Sequence, residues 1–315
     1  MNVTLKQGFR GNDVIALQQL LNLIGVKTAE DGSFGPATKQ SVKTAQYKMQ
    51  LDSNGIADYK FFKAIYEESK INIASIQNFA YAGLSDDQYN LEYQKKDILF
   101  LHHTAGGPNP YYVRDHFQKL RGTVATPYVI GGKGDKKFGD IYDGLCLQLF
   151  RHPSQWAPHI YMRANISVFG ITKQGVAQNK AHETRMAKRS IGIEVCNYGY
   201  LEYINGEFYF MSRGRKIAKV KREDVQVYEG KGYRGKRFYQ KYTEKQIETL
   251  RDVILKLSKL YSINLDKPKN GFDERWFDYS WDASRGNTNL VSHSSVRSKS
   301  DMHPQPELIK MLNTL

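Results

Sequence analysis

Apolar positions recur at helical spacing near the start of the chain. Val14, Leu17, Leu20, Leu21 and Ile24 follow Asn12, which reads as an N-cap, and Gly25 closes the run. A turn-rich stretch, Glu30 to Pro36, leads into a second helix through Val42, Ala45, Gln46 and Met49. Asn54-Gly55 marks another turn, and Phe61, Phe62, Ile65 and Tyr66 suggest a short third helix. Residues 1–70 are therefore expected to form a small three-helix domain. Residues 71–92 show no sustained period and read as a connector. Beyond them, short apolar runs of buried-strand type alternate with helical stretches. Asp97–Leu101, Tyr128–Ile130, Leu145–Phe150 and Ser190–Val195 are the strand candidates. The clearest helix spans 244–260, opened by a capping-box pair, Thr243 and Gln246, with Ile247, Leu250, Val253, Ile254 and Leu257 on one face. This interleaving predicts an α/β domain over 93–315, a central mixed β-sheet flanked by helices.

Composition narrows the class. The 315 residues include 40% hydrophobic and 12% aromatic positions, enough to bury a core and inconsistent with general disorder. No run approaches a membrane span, and the N-terminus lacks the pattern of a signal peptide. Synthesis in the cytoplasm and later release is the expectation. Cys146 and Cys196 are two buried thiols or at most one bridge. The net charge of +14 favours polyanionic partners and is uneven: residues 213–241 hold 11 Lys/Arg against 3 Asp/Glu. In that segment Tyr228, Tyr233, Phe238 and Tyr239 interleave with the basic residues, a pattern that fits a polyanion groove or a solvated basic hairpin equally.

The N-terminal pattern carries a resemblance. Gly8-x-x-Gly11, the Val14-x-x-Leu17-Gln18 run, Asp31-Gly32-x-Phe34-Gly35-Pro36-x-Thr38 and Asn54-Gly55 follow one another as in the three-helix peptidoglycan-binding domains found at the ends of many wall hydrolases. The resemblance implies that residues 1–70 bind peptidoglycan.

The candidate chemistry sits further along. His102 and His103 end the first apolar strand, and His293 is followed by Lys299 and Asp301. Two neutral imidazoles and a carboxylate are a set that catalytic zinc accepts, with a fourth position open for water. Together these motifs resemble the zinc-dependent N-acetylmuramoyl-L-alanine amidases of the type-2 family, which includes phage amidases and the peptidoglycan recognition proteins. The resemblance implies a Zn²⁺ cofactor held by His102, His293 and Asp301, with Lys299 and Glu194 (in Ile191-Gly192-Ile193-Glu194) as catalytic residues. Trp156 and His159 resemble the family's substrate-lining Trp and His. The chain departs from the family at Met302-His303-Pro304, which makes His303 a competitor for the third ligand position. It departs also at Ala125–Ile130, where a tyrosine helper is in doubt, and at 197–242, an insertion containing the basic segment. Alternation along a strand turns His103 away from the metal; His116, His152 and His182 have no partner pattern.

The resemblance implies a peptidoglycan hydrolase cutting between N-acetylmuramic acid and L-alanine, in the manner of an endolysin. The alternatives are a catalytically silent peptidoglycan receptor on the same fold and a bacterial wall-remodelling amidase. Anionic wall polymers are possible partners, and nucleic acid is not expected.

Overall fold

The structure is a computed structural model that describes residues 4–62, 64, 65, 68, 79–120, 124–160, 162 and 180–315. Helix α1 (Asn12–Leu23) and helix α2 (Pro36–Lys48) carry the expected apolar faces. The cap of α1 is Gly11, one residue before the expected Asn12, and the Gly11 carbonyl accepts from the Val14 and Ile15 amides. Residues 59–62, 64 and 65 are helical, with Phe61, Phe62 and Ile65 buried, while Tyr66 lies outside the described residues. The turns are held by side chains. Gln18 binds Asp31, Ser33 and Thr38, and Gln46 binds Asn54, Gly55 and Ile56. The glutamine and turn motifs of this unit are thus hydrogen-bonded to each other as a frame.

The larger unit is built on a six-stranded mixed sheet in the order β1-β4-β3-β5-β2-β11. Its strands are β1 (Phe79–Tyr81), β2 (Ile98–His103), β3 (Tyr128–Ile130), β4 (Cys146–Gln148), β5 (Ser190–Val195) and β11 (Leu290–Ser292). All neighbours are parallel except β3 with β4. Strand β1 falls inside the stretch expected to be a connector, since three residues show no period; residues 71–78 of that stretch lie outside the described residues. Helices α3 (Pro110–Lys119), α4 (Lys180–Arg189), α5 (Glu244–Leu260), α6 (Trp281–Arg285) and α7 (Pro306–Leu312) complete the unit. The expected capping box at Thr243 and Gln246 is present. Cys146 and Cys196 are free and buried. No helix among the described residues is long and apolar enough to cross a membrane.

Alternation along β2 sorts its side chains. Leu99 and Leu101 join Ile191, Ile193 and the apolar face of α5 in one cluster. Ile98 and Phe100 face Met186, Ala283, Val291 and Val296 on the other side. His102 therefore extends the Phe100 face, and His103 the Leu101 face.

The small unit packs on the large one. Phe62 stacks on Tyr93 at 5.0 Å, and the Gln19 amide meets the backbone of Lys96 at 3.5 Å. The Lys96 ammonium is enclosed and donates to the carbonyls of Lys188 (2.8 Å) and Ser190 (2.9 Å). Burial pushes it down to about 7 from the usual 10.5.

The insertion 197–242 divides into two parts. Strands β6 (Glu202–Ile204), β7 (Glu207–Ser212) and β8 (Arg215–Val220) form an antiparallel meander, with Arg215, Lys216 and Lys219 exposed. Strands β9 (Val225–Val227) and β10 (Phe238–Gln240) pair beneath it. Here the interleaved aromatics turn inward: Tyr228 and Tyr239 are buried, in ring contact with Tyr233 and His303. Inward packing removes Tyr228 and Tyr239 as an exposed stacking platform, while Arg215, Lys216 and Lys219 on β8 and Lys221, Arg222, Lys236 and Arg237 beyond it stay solvated.

Candidate metal centre and catalytic cavity

The C-terminal ends of β2, β5 and β11 bring the candidate residues together. Pairing of β2 with β5 sets Ile98 beside Ser190, Phe100 beside Gly192 and His102 beside Glu194. Strand β11 runs parallel to β2 on its other side and delivers His293 directly after Ser292. The chain then loops back so that Asp301 meets both imidazoles. His293 Nδ1 lies 2.8 Å from Asp301 Oδ2, and His102 Nδ1 lies 3.8 Å from Asp301 Oδ1. One ligand-type atom from each of His102, His293 and Asp301 falls within 4.8 Å of the others.

This donor set fits a metal of the zinc type: two imidazole nitrogens and one carboxylate, enclosed, with the carboxylate supported from behind. The His103 amide donates to Asp301 Oδ1 (3.1 Å), and Arg297 donates to Oδ2 (2.8 Å). Burial opposes ionisation of Asp301, but the His293 ring bonded to it, with His102 and His103 nearby, outweighs that and holds the carboxyl well below its usual range. Burial drives His102 well below its usual value, so the ring is neutral at pH 7.

A cavity of about 390 Å³ opens onto this cluster, walled by His159, Ile160, Glu183, Thr184, Glu194 and Arg297 among others. Glu194 reaches it with one edge, while its Oε2 is enclosed without a hydrogen-bond partner among the described residues. Burial pushes this carboxyl well above its usual range; the Asp301 charge adds to the push and the Arg297 guanidinium opposes it. A carboxyl so placed holds its proton more tightly than an exposed one, which suits it to proton transfer.

Lys299 is exposed and is not among the residues lining the cavity; the cation that faces the carboxylates from the same loop is Arg297. No expectation named Arg297, because its four-residue spacing from Asp301 carries no meaning outside a helix. His159 lines the cavity, but both its ring nitrogens are engaged with protein, by His102 (3.1 Å) and Ser190 (2.9 Å). Trp156 is buried away from it, with its backbone bridged to Asn90 and the Lys188 ammonium 4.9 Å above its ring.

His103 points to the opposite side of the sheet, with Nδ1 3.3 Å from the Tyr242 hydroxyl. His303 joins it there, stacked on Tyr242 at 4.6 Å with Nδ1 3.1 Å from the same hydroxyl. The geometry therefore groups Asp301, and not His303, with the two imidazoles. His152 accepts from the Ser154 amide, and His182 meets the Ser284 carbonyl; neither lines the cavity.

The loop carrying His293 and Asp301 has one 3-10 turn, His293–Val296, as its regular structure. Ser294 and Asp301 bind each other through their backbones, and the Ser294 hydroxyl receives the Asp301 amide at 2.8 Å. From the insertion, Arg234 donates to the carbonyls of Ser294 (2.6 Å), Arg297 (2.7 Å) and Phe277 (2.9 Å). The basic segment thus supplies a guanidinium that ties the loop after His293 down.

Residues 10–65 match a family described as "Putative peptidoglycan binding domain". No curated protein matches the chain. Solved structures similar to it include PlyL, at 11% identity and TM-score 0.36, over 71% of this chain and 86% of that one. Another is the N-acetylmuramyl-L-alanine amidase AmiD from E. coli in complex with anhydro-N-acetylmuramic acid-L-Ala-D-gamma-Glu-L-Lys, at 15% identity and TM-score 0.31, over 65% of this chain and 50% of that one. The endolysin N-acetylmuramoyl-L-alanine amidase LysCS from Clostridium intestinale URNW is similar at 13% identity and TM-score 0.35, over 75% of this chain and 94% of that one.

Proposed function

We propose that the chain is a zinc-dependent peptidoglycan hydrolase that cuts the amide between N-acetylmuramic acid and L-alanine, with residues 1–70 holding it on its polymer. The observation that carries the reading is the convergence of His102, His293 and Asp301 with the buried carboxyl of Glu194, whose Oε2 has no hydrogen-bond partner among the described residues, in one cavity. The family match over residues 10–65 supports the polymer as substrate. Endolysin-like release to the wall is the biological setting we favour, with anionic wall polymers as further contacts for the exposed β8 face.

Zinc held by His102 Nδ1, His293 Nδ1 and an Asp301 oxygen would supply a Lewis acid and a water acidified to about neutral pKa. Glu194 takes the proton from the attacking water and delivers it to the leaving amine, a transfer its raised affinity for protons favours. Arg297 holds Asp301 and presents its remaining charge to the carbonyl oxygen as negative charge grows there, the role expected of Lys299. His102 and His293 serve as ligands, and the walls of the cavity orient the amide.

The test is metal analysis of the purified chain combined with mass spectrometry of digested peptidoglycan. The reading expects about one zinc per chain and newly freed L-alanine amines, lost on chelation and restored by zinc. Cleavage of glycosidic bonds, or full activity without metal, would overturn it.

A further inference from the structure

We propose that His159 is a positioning residue for the ligand His102 and not a substrate contact: a hydrogen-bonded chain from the Met186 carbonyl through Ser190 and His159 decides which nitrogen of His102 carries its proton. The argument starts where there is no choice. A carbonyl oxygen only accepts, so the Ser190 hydroxyl donates to the Met186 carbonyl, 2.7 Å away. Ser190 has no second proton. Its oxygen therefore accepts from His159 Nε2 at 2.9 Å, which leaves His159 Nδ1 with a lone pair. That lone pair lies 3.1 Å from His102 Nε2, so His102 is the donor there and its Nδ1 is unprotonated. Nδ1 is the atom turned toward Asp301. The opposite tautomer would aim an N–H at the ligand cluster and exclude a cation.

Each part of the chain is set by an element end. Met186 is in the last turn of α4, where carbonyls lack helical partners. The neighbouring carbonyl ends are also taken, Lys188 by the Lys96 ammonium and Arg189 by the Asp97 amide. The helix is thus pinned to the sheet at the point from which the chain departs. Ser190 and Gly192 share the site face of β5. At Gly192 a Cβ would lie 3.0 Å from His159 Nδ1 and 2.7 Å from Thr126 Cγ2, so the missing side chain is the space in which the imidazole lies.

The consequence for metal binding rests on the proposed zinc reading; the tautomer itself does not. The experiment is therefore done twice on the full chain, first without metal. Long-range proton–nitrogen correlation of the ¹⁵N-labelled, metal-free protein should show His102 and His159 both protonated on Nε2. Chelator competition then measures zinc affinity. Ser190→Ala should mix the His159 and His102 tautomers and weaken zinc about 10- to 100-fold, the usual scale for removing support behind a ligand. His159→Leu should do the same, whereas His159→Gln, which keeps an amide donor and an oxygen acceptor, should restore most of the affinity. A wild-type His102 protonated on Nδ1 overturns the proposal, as does Ser190→Ala with unchanged tautomers and affinity. A raised KM in His159→Gln at unchanged zinc affinity would return His159 to substrate binding. Correct tautomers in a protein that takes no zinc would sink the metal reading and leave the relay standing.

Discussion

Glu194 stands directly beside His102 in the parallel pairing of β2 and β5, so the proposed proton-transfer group and the proposed first ligand are held by a single strand register. A one-residue slip would put Glu194 on the opposite face of the sheet and leave Ile193 or Val195 in its place.

Glu194→Gln should keep zinc and lose at least about 10²-fold in turnover, the usual scale for a missing general base. Its stability effect has a definite sign. The folded protein holds this carboxyl above the ordinary 4.5, so the favourable protonated state is fully present below that value and is lost as pH rises through the folded one. Thermal melts of the metal-free proteins should therefore show the variant gaining on wild type as pH rises above the ordinary carboxyl value. A gap that does not change with pH would remove the buried-carboxyl argument.

Arg297 and Lys299 can be separated. Arg297→Ala removes both the support of Asp301 and the cation in the cavity, and turnover should fall about 10²- to 10³-fold. Lys299→Ala changes an exposed side chain and should leave turnover near normal. Steady-state rates on a soluble muropeptide decide it; the reverse order would return the role to Lys299.

Metal content separates Asp301 from His303. Asp301→Ala should purify without zinc. His303→Ala should retain zinc but lose about 2–4 kcal/mol of stability, because it empties a buried ring stacked on Tyr242. A zinc-free His303→Ala protein that is otherwise folded would move the third ligand there.

Lys96 makes a pH prediction far from the ligands. Its folded value of about 7 lies below the ordinary 10.5, so across that interval the unfolded chain binds more protons than the folded one. Stability from this group is therefore gained as pH rises above about 7, and its charge penalty is full below that. Denaturant melts should show a rising contribution from pH 6.5 to 8.5 that is missing in Lys96→Met. Equal slopes in the two proteins would show that the ammonium is hydrated.

Much of the site was legible because strand alternation is a local rule. It separates His102 from His103 and places Ser190, Gly192 and Glu194 on one face without knowledge of the rest of the fold. The capping box at Thr243 was readable for the same reason, its two partners being three residues apart. What sequence could not give were contacts made across long loops. Arg234 reaches carbonyls some 40 to 60 residues away, and nothing in its neighbourhood marks their positions. His159 carries the family's substrate-lining pattern, yet its two nitrogens are already taken by residues 31 and 57 positions distant. Strand β1 was missed because three residues contain too little pattern to separate a strand from a linker.

The three carbonyls gathered by Arg234 bear on how far the chain can be shortened. Residues 197–242 look from sequence like an appendage that could be trimmed to shorten the polypeptide. Their removal would take away the guanidinium that shapes the ligand loop, although every ligand would still be encoded. A shortened version would need a substitute donor to the carbonyls of Ser294 and Arg297, supplied from β10 or the start of α5. The exposed strands β6 to β8 are the part of the insertion open to redesign.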